Sequence, residues 1–493
     1  MGVVRKQGVA NSLWLYLGMG LGYVNMGVIM AKLLSTENLG LRQVVFQAGD
    51  FFSVIALVGL NNVVNRYFPA YMHQGKSRGG MMGFVFLYWL VGVAFTALLM
   101  LVFKPAIMGF YESKSQLLTE FYLYIIPFGA SLALYEGLSA YCRALLKTTF
   151  PLFVREVAQR VVTTVMLVMV YMKWIGFDDF MTLYLLSYVV ATVVLVAYLV
   201  RLGEFRLWVP GEGFAWTAQW REMLVFGMYS WFNNAMQIIT KTVDVLMLGA
   251  YDLKKAGIYG LGSLIGNFVQ VPSQSLRQIA APLISRYFEE NNLKAIGDLY
   301  RRSCMVQLVS GLFLYLAIVV NLDVLFTLWR SEFEAARTVI VYLGASRLIA
   351  GSTGLNGRII VESRYFRVNF YANLLLGGLA ALLNWLLIPR YGIPGAAVAS
   401  SLAILLVSAF KVVFVYARFG LQPFETRTAW ALGVGGLAYA AAAFLPLSGL
   451  FVVDLAVRTG VFALVFVPLA LRLRLSDNLN QMVEGWVGKW LRR

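Results

Sequence analysis

Fourteen runs of 17 to 27 mostly apolar residues, joined by short charged connections, leave this 493-residue chain few folds to choose from. A helix needs about 20 residues to cross roughly 30 Å of bilayer hydrocarbon, and each run supplies close to that number. Inside hydrocarbon every backbone N–H and C=O must be satisfied by the protein itself, so only helices and closed barrels can span. Barrel strands would alternate polar and apolar residues over about ten positions, and these runs do not. The sequence therefore predicts an all-α integral membrane protein with 14 transmembrane helices. Its 60% hydrophobic and 13% charged residues suit that class and exclude an ordinary soluble domain.

No connection is long enough to hold a soluble domain. The longest, 201–223 and 282–302, are amphipathic and charged. Lys and Arg recur on one side of the predicted membrane: Arg5 and Lys6, Arg143 with Lys147 and Arg155, Arg286 with Lys294, Arg358 with Arg364 and Arg367, then Lys411, Arg418 and Arg427. By the positive-inside rule those loops are cytoplasmic, and an even number of spans puts both termini there. Topology and anionic headgroups thus account for most of the net charge of +17. A nucleic-acid partner is not expected, because no basic soluble domain exists to hold one. Cys142 and Cys304, at the ends of spans 4 and 9, make neither a metal site nor an expected disulfide.

Two spans carry unbroken polar rows. In span 7 (224–250) Ser230, Asn233, Gln237, Lys241 and Asp244 follow one another at steps of three and four; in span 8 (257–281) Ser263, Asn267, Gln270, Gln274 and Arg277 do the same. Such spacing places each row along one helical face. Charge at the bilayer centre costs a few kcal/mol or more, so these faces are expected to look into protein or water and not at lipid.

Landmarks in the chain recur at an offset near 216. Gly40 in LSTENLGL and Gly257 in YDLKKAGI are 217 apart, and NRYF at 65–68 answers SRYF at 285–288. KTTF at 147–150 pairs with ESRY at 362–365, and Gly176 with Gly392. The expected organisation is a six-helix lobe with its linker over 1–222, a second six-helix lobe over 223–420, and two added helices with an amphipathic tail over 421–493. Six helices per copy make the repeats parallel, and substrate sites in such proteins lie where the repeats meet.

The phrases AKLLSTENLGL (31–41), LVGLNNVVNRYFP (57–69), KTVDVLMLGAYDLKKAGIYGLGSLI (241–265), QVPSQSLRQIAAPLISRYF (270–288) and LLIPRYGIPGAAVASSLAILL (386–406) resemble the polysaccharide transporter family of Wzx-like oligosaccharide flippases. That family sits in the MATE-like MOP exporter superfamily. The resemblance implies two lobes around a cavity and alternating access. Its implied cargo is a polyprenyl-diphosphate-linked oligosaccharide, moved across a bacterial cytoplasmic (inner) membrane for O-antigen, capsule or exopolysaccharide assembly. Polysaccharide polymerase and glycosyltransferases would then be its partners, beside membrane lipids.

Fixed cations suit a diphosphate, since their hydrogen bonds strengthen where water is scarce; amides suit sugar hydroxyls, because they both donate and accept. The expected diphosphate contacts are Lys241, Arg277, Arg66 and Arg347. Asn233, Gln237, Asn267, Gln270, Gln274 and Asn61 are the expected sugar or water contacts. Blander readings stay open: the amides can be glue between helices, Arg66 and Arg286 can anchor to headgroups, and Lys241 can simply neutralise Asp244. No cofactor is expected. Coupling to H+ or Na+ would need a carboxylate whose state changes between conformations, and Asp244, Asp50 and Glu136 are the candidates. A MATE-type exporter of drugs or metabolites is the nearest rival. An enzyme is not expected, since no outer loop exceeds about 15 residues and no catalytic carboxylate pair or metal cluster stands out.

Overall fold

The computed structural model describes residues 2–73, 78–111, 116–205, 218–446 and 448–481. Among them the regular structure is helical throughout. Among the described residues six helices are long and apolar enough to cross a bilayer, or up to eight if each of two bent pairs is one span.

Contacts divide the chain into one compact unit over Met1–Gly260 and a second over Leu261–Arg493. The longer helices of the first are α1 (Gly2–Val24), α2 (Thr36–Leu57), α3 (Leu60–His73), α4 (Arg78–Val102), α5 (Ile125–Ala144), α6 (Gln159–Tyr171), α7 (Phe177–Arg201) and α8 (Ala218–Tyr251). The division falls within α9 (Leu253–Phe268). The second unit continues with α10 (Val271–Glu289), α11 (Leu293–Val320), α12 (Ala336–Ser352) and α13 (Leu355–Glu362). Helices α14 (366–391) and α15 (393–419) run on from each other except at Gly392, and α16 (Thr426–Ala443) and α17 (Phe451–Arg472) follow.

Local chemistry explains where these helices start and stop. Ser35 caps α2 by accepting the Asn38 N–H at 3.1 Å, and Asn292 caps α11 by accepting that of Ala295 at 3.0 Å. Gly392 has φ 59° and ψ −128°, a conformation that only glycine adopts readily, and it lets the chain leave α14 and enter α15 at once.

Four predicted spans prove to be broken; span 4 (119–142) is interrupted between Phe121 and Ile125. Span 2 (43–65) stops at Leu57 and restarts at Leu60 with a 46° bend; span 10 (338–361) does so between Ser352 and Leu355, with a 44° bend. Span 8 is interrupted after Phe268, so its polar row does not occupy one continuous helical face: Ser263 and Asn267 lie on α9, Gln270 in the break, and Gln274 and Arg277 on α10. Pro272 supplies the reason, having no N–H to offer and a ring that crowds the carbonyl four residues back. The breaks after Leu57 and after Phe268 are 211 residues apart, close to the spacing of the sequence landmarks. The connection 282–302 is helical over most of its length, as the end of α10 and the start of α11.

Lipid tails are as apolar as leucine, so exposed Leu90, Val91, Phe95 and Leu98 on α4 lose nothing by facing them. Cohesion has to come from close packing. The first unit packs Phe52, Leu60, Val64, Val85, Leu138 and Tyr141 together. Small residues then bring backbones into contact. Gly40 of α2 and Gly257 of α9, the sequence landmarks, face each other: a methyl group on Gly40 would overlap the Leu253 carbonyl, and one on Gly257 the Thr36 carbonyl.

Candidate transport site

In the first unit α8 splits its polar row. Gln237 and Lys241 are exposed, Ser230 and Asn233 are half-buried, and Asp244 is buried and accepts a hydrogen bond from the phenol of Tyr259 on α9. Asp244 therefore turns toward a packed helix contact while Lys241, three residues away, does not. Asn61 on α3 is half-buried, and its Oδ1 has no partner among the described residues. Arg66 is exposed on the same helix, with its guanidinium 4.4 Å from the ring centre of Phe226 on α8 and 5.5 Å from that of Tyr67. Cation–π contact of this kind fixes a guanidinium without consuming its hydrogen-bond donors.

The three candidate carboxylates have different surroundings. Asp50 is half-buried on α2. Glu136 on α5 is ion-paired with Arg155, so its charge is already matched inside the unit. Arg155 belongs to a short π-helix, Val154–Ala158, just before α6. Its side chain is exposed apart from that ion pair. Nearby, Arg160 pairs with Glu156 at 2.9 Å and donates to the Gly18 carbonyl of α1, while buried Asn25 donates to the Arg160 carbonyl at 2.8 Å. Arg42 on α2 also escaped the sequence reading. It donates to the Tyr184 hydroxyl at 2.6 Å and lies 4.9 Å from that ring's centre.

In the second unit Asn267, Gln270, Arg277 and Arg347 are half-buried, and the side chain of Gln274 lies outside the described residues. Arg277 on α10 is brought into the fields of Arg347 on α12 and Arg358 on α13, and the field of Arg277 acts in turn on Lys411 of α15. Arg358 and Lys411, counted on the cytoplasmic side within predicted spans 10 (338–361) and 12 (393–416), are both half-buried on helices, Lys411 eight residues before the end of α15. Like charges brought together repel, and a protein keeps them so only with compensation or for a ligand.

A model of the family described as polysaccharide biosynthesis protein matches residues 4–288. The chain belongs to that family. A second model, MatE, matches residues 230–386. No curated protein matches. Among solved structures, a lipid II flippase MurJ in an inward closed conformation is similar with a TM-score of 0.67 and 13% identity, over 95% of this chain and 99% of that one. An inward-facing multidrug resistance MATE family transporter of the MOP superfamily gives 0.61 and 13%, over 83% and 98%. A MOP superfamily transporter from Pyrococcus furiosus, described as having a binding pocket of reverse polarity, gives 0.52 and 13%, over 85% and 96%. At such identities the likeness establishes the fold, which is that of the MATE and MurJ transporters. The family member described here is thus a multi-pass membrane protein, helical throughout its described residues, with the fold of these transporters.

Proposed function

We propose that the protein flips a polyprenyl-diphosphate-linked oligosaccharide from the cytoplasmic to the outer leaflet of a bacterial inner membrane by alternating access, supplying surface polysaccharide assembly. The observation that carries this reading is Arg277, a half-buried guanidinium that lies beside Gln307 on α11 and the bend at Gly354 in the second unit and has no acidic partner among the described residues. A hydrophobic cation would be repelled there, whereas a diphosphate would be held. Membership of the polysaccharide biosynthesis family supports the same cargo class. In this reading the chain crosses the membrane fourteen times with both termini inside. Lobes over 1–222 and 223–420 carry the path, and 421–493 lies outside the repeat. Lys241, Arg277, Arg66 and Arg347 hold the diphosphate. Asn233, Gln237, Asn267, Gln270, Gln274 and Asn61 serve the sugar or water. Glycosyltransferases and a polymerase would supply and consume the cargo.

The MatE match over 230–386 favours a second reading, MATE-type export coupled to a cation. Proteoliposomes separate the two. The flippase reading expects a polyprenyl-diphosphate oligosaccharide placed in one leaflet to reach the other at a rate well above that of empty vesicles, with no pumping of lipophilic dye cations. Dye extrusion without headgroup movement would reverse the choice.

Coupling to H+ or Na+ is assigned to Asp244, a buried carboxylate that accepts a hydrogen bond from the Tyr259 phenol, whereas Glu136 is ion-paired with Arg155. Asp244→Asn is then expected to transport at a rate that no longer responds to an imposed proton or sodium gradient. Retained gradient dependence in that variant would remove Asp244 from the role.

A further inference from the structure

Apart from the transport site, the second unit holds a charged cavity where α11 and α16 begin and α17 ends. Its volume is about 220 Å3, far more than one ordered water fills. Asp298, Arg301 and Arg302 line it from α11, Glu425 and Arg427 from the start of α16, and Asp477 from the chain just past α17. Ion pairs hold these walls together: Arg301 reaches Asp298 at 2.6 Å and Glu425 at 3.4 Å, and Arg427 reaches Asp477 at 3.0 Å. The pairs tie neighbouring helices to one another without filling the space between them.

Three guanidinium groups and three carboxylates make the cavity neutral in sum, but the pairing within it is uneven. Arg301 is shared by two carboxylates, while Arg302 has no acidic partner among the described residues. A carboxylate offers about four acceptor positions, and Asp298 and Asp477 each meet a single guanidinium. Donor and acceptor capacity are therefore both left over. A simple anion drawn to Arg302 would also meet three carboxylates, and a simple cation would meet three guanidinium groups. A ligand that carries both charges finds a counterpart for each.

Depth in the membrane says where such a ligand comes from. The sequence of α11 turns from charged to apolar directly after Arg302, that of α16 does so after Arg427, and α17 ends its apolar run at Arg472. Three helices thus leave hydrocarbon at the level of this cavity, which is the level of lipid headgroups. Exposed Trp430, one turn into α16, suits the interfacial belt in which indoles collect. Buried Met305 and Leu475 also line the cavity, so its charges stand beside an apolar wall.

We propose that this cavity binds the headgroup of a zwitterionic phospholipid with a primary ammonium, the phosphoethanolamine class. Arg302 presents a fork of N–H donors to the phosphate, the ammonium donates to the spare acceptor positions of Asp298 and Asp477, and Met305 and Leu475 meet the start of the chains. The site does not depend on what the protein transports.

The test titrates the full-length protein in detergent with dihexanoyl phosphatidylethanolamine and reads binding by calorimetry. Phosphatidylcholine and phosphatidylglycerol of the same chain length are the comparisons: the first carries a quaternary ammonium with no N–H to donate, the second no cation at all. Each is expected to bind on the order of tenfold more weakly, the loss of one charge-assisted contact. Arg302→Gln should weaken phosphatidylethanolamine binding by a similar factor at an unchanged melting temperature, since it breaks no ion pair among the described residues. Asp477→Asn should erase the preference over phosphatidylcholine. Arg286→Gln, which removes a surface ion pair outside the cavity lining, should bind as the parent does. Either comparison lipid bound as tightly as phosphatidylethanolamine, or unchanged affinity in Arg302→Gln, overturns the site. Glycerophosphoethanolamine, the same headgroup without chains, bound as tightly as the lipid would overturn the assignment to a membrane lipid.

Discussion

Leucine in place of Gly40 or Gly257 is expected to cut the amount of folded protein recovered from the membrane by more than tenfold, and alanine at either position to give an intermediate loss. The two glycines set the crossing of α2 and α9, where each backbone touches the other through the missing side chain. A methyl group at either position meets a carbonyl oxygen of the opposing helix, not the end of a flexible side chain, so the helices must separate to admit it. Overpacking of a tight core costs about 1–3 kcal/mol, and a whole domain holds only about 5–15 kcal/mol in reserve. Leucine adds three more carbons at a contact that also breaks the neighbouring fit. Fusion to a fluorescent reporter and size-exclusion chromatography of detergent extracts would measure the monodisperse fraction. Gly378→Leu is the control, since nothing lies within 4 Å of a methyl group there. Equal recovery of Gly40→Leu and Gly378→Leu would show that the crossing is not closely packed.

That contact illustrates how far the sequence could be read. Gly40 and Gly257 stood out as landmarks of a repeat, because equal spacing is visible along a chain; that they touch each other is a tertiary fact with no local trace. Long apolar runs made the helical class legible, since the bilayer leaves the backbone no alternative. The breaks were less so. Pro272 was in plain view within QVPSQ, yet hydropathy averages over a window and passes through a two-residue interruption. The bend at Val58 and Gly59 has only an ordinary glycine to announce it. Gln307 gave no signal at all, because one amide in an apolar helix looks like any other until its neighbours fail to satisfy it.

Arg277→Ala and Lys241→Ala are each expected to reduce surface polysaccharide on the order of tenfold to a hundredfold, with the protein present at its normal level. Losing charge-assisted hydrogen bonds to a diphosphate would cost about 1.5–3 kcal/mol each, and every 1.4 kcal/mol is a factor of ten. The two positions differ in what the substitution does to the protein itself, and that difference makes the test sharp. Lys241 is exposed on α8, so its removal leaves packing intact. Arg277 is half-buried without an acidic partner among the described residues, so its removal leaves no carboxylate unmatched. Arg277→Ala should therefore melt close to the temperature of the parent while exporting less, a trade expected where a charge is held for a ligand and not for the fold. Gel analysis of surface polysaccharide, normalised to the membrane-inserted protein, reads the export; a thermal shift in detergent reads the stability. Normal export by both variants would remove these residues from the path. Export that falls only in step with protein level would mean that Arg277 serves the fold, and the like-charged cluster would then need another explanation.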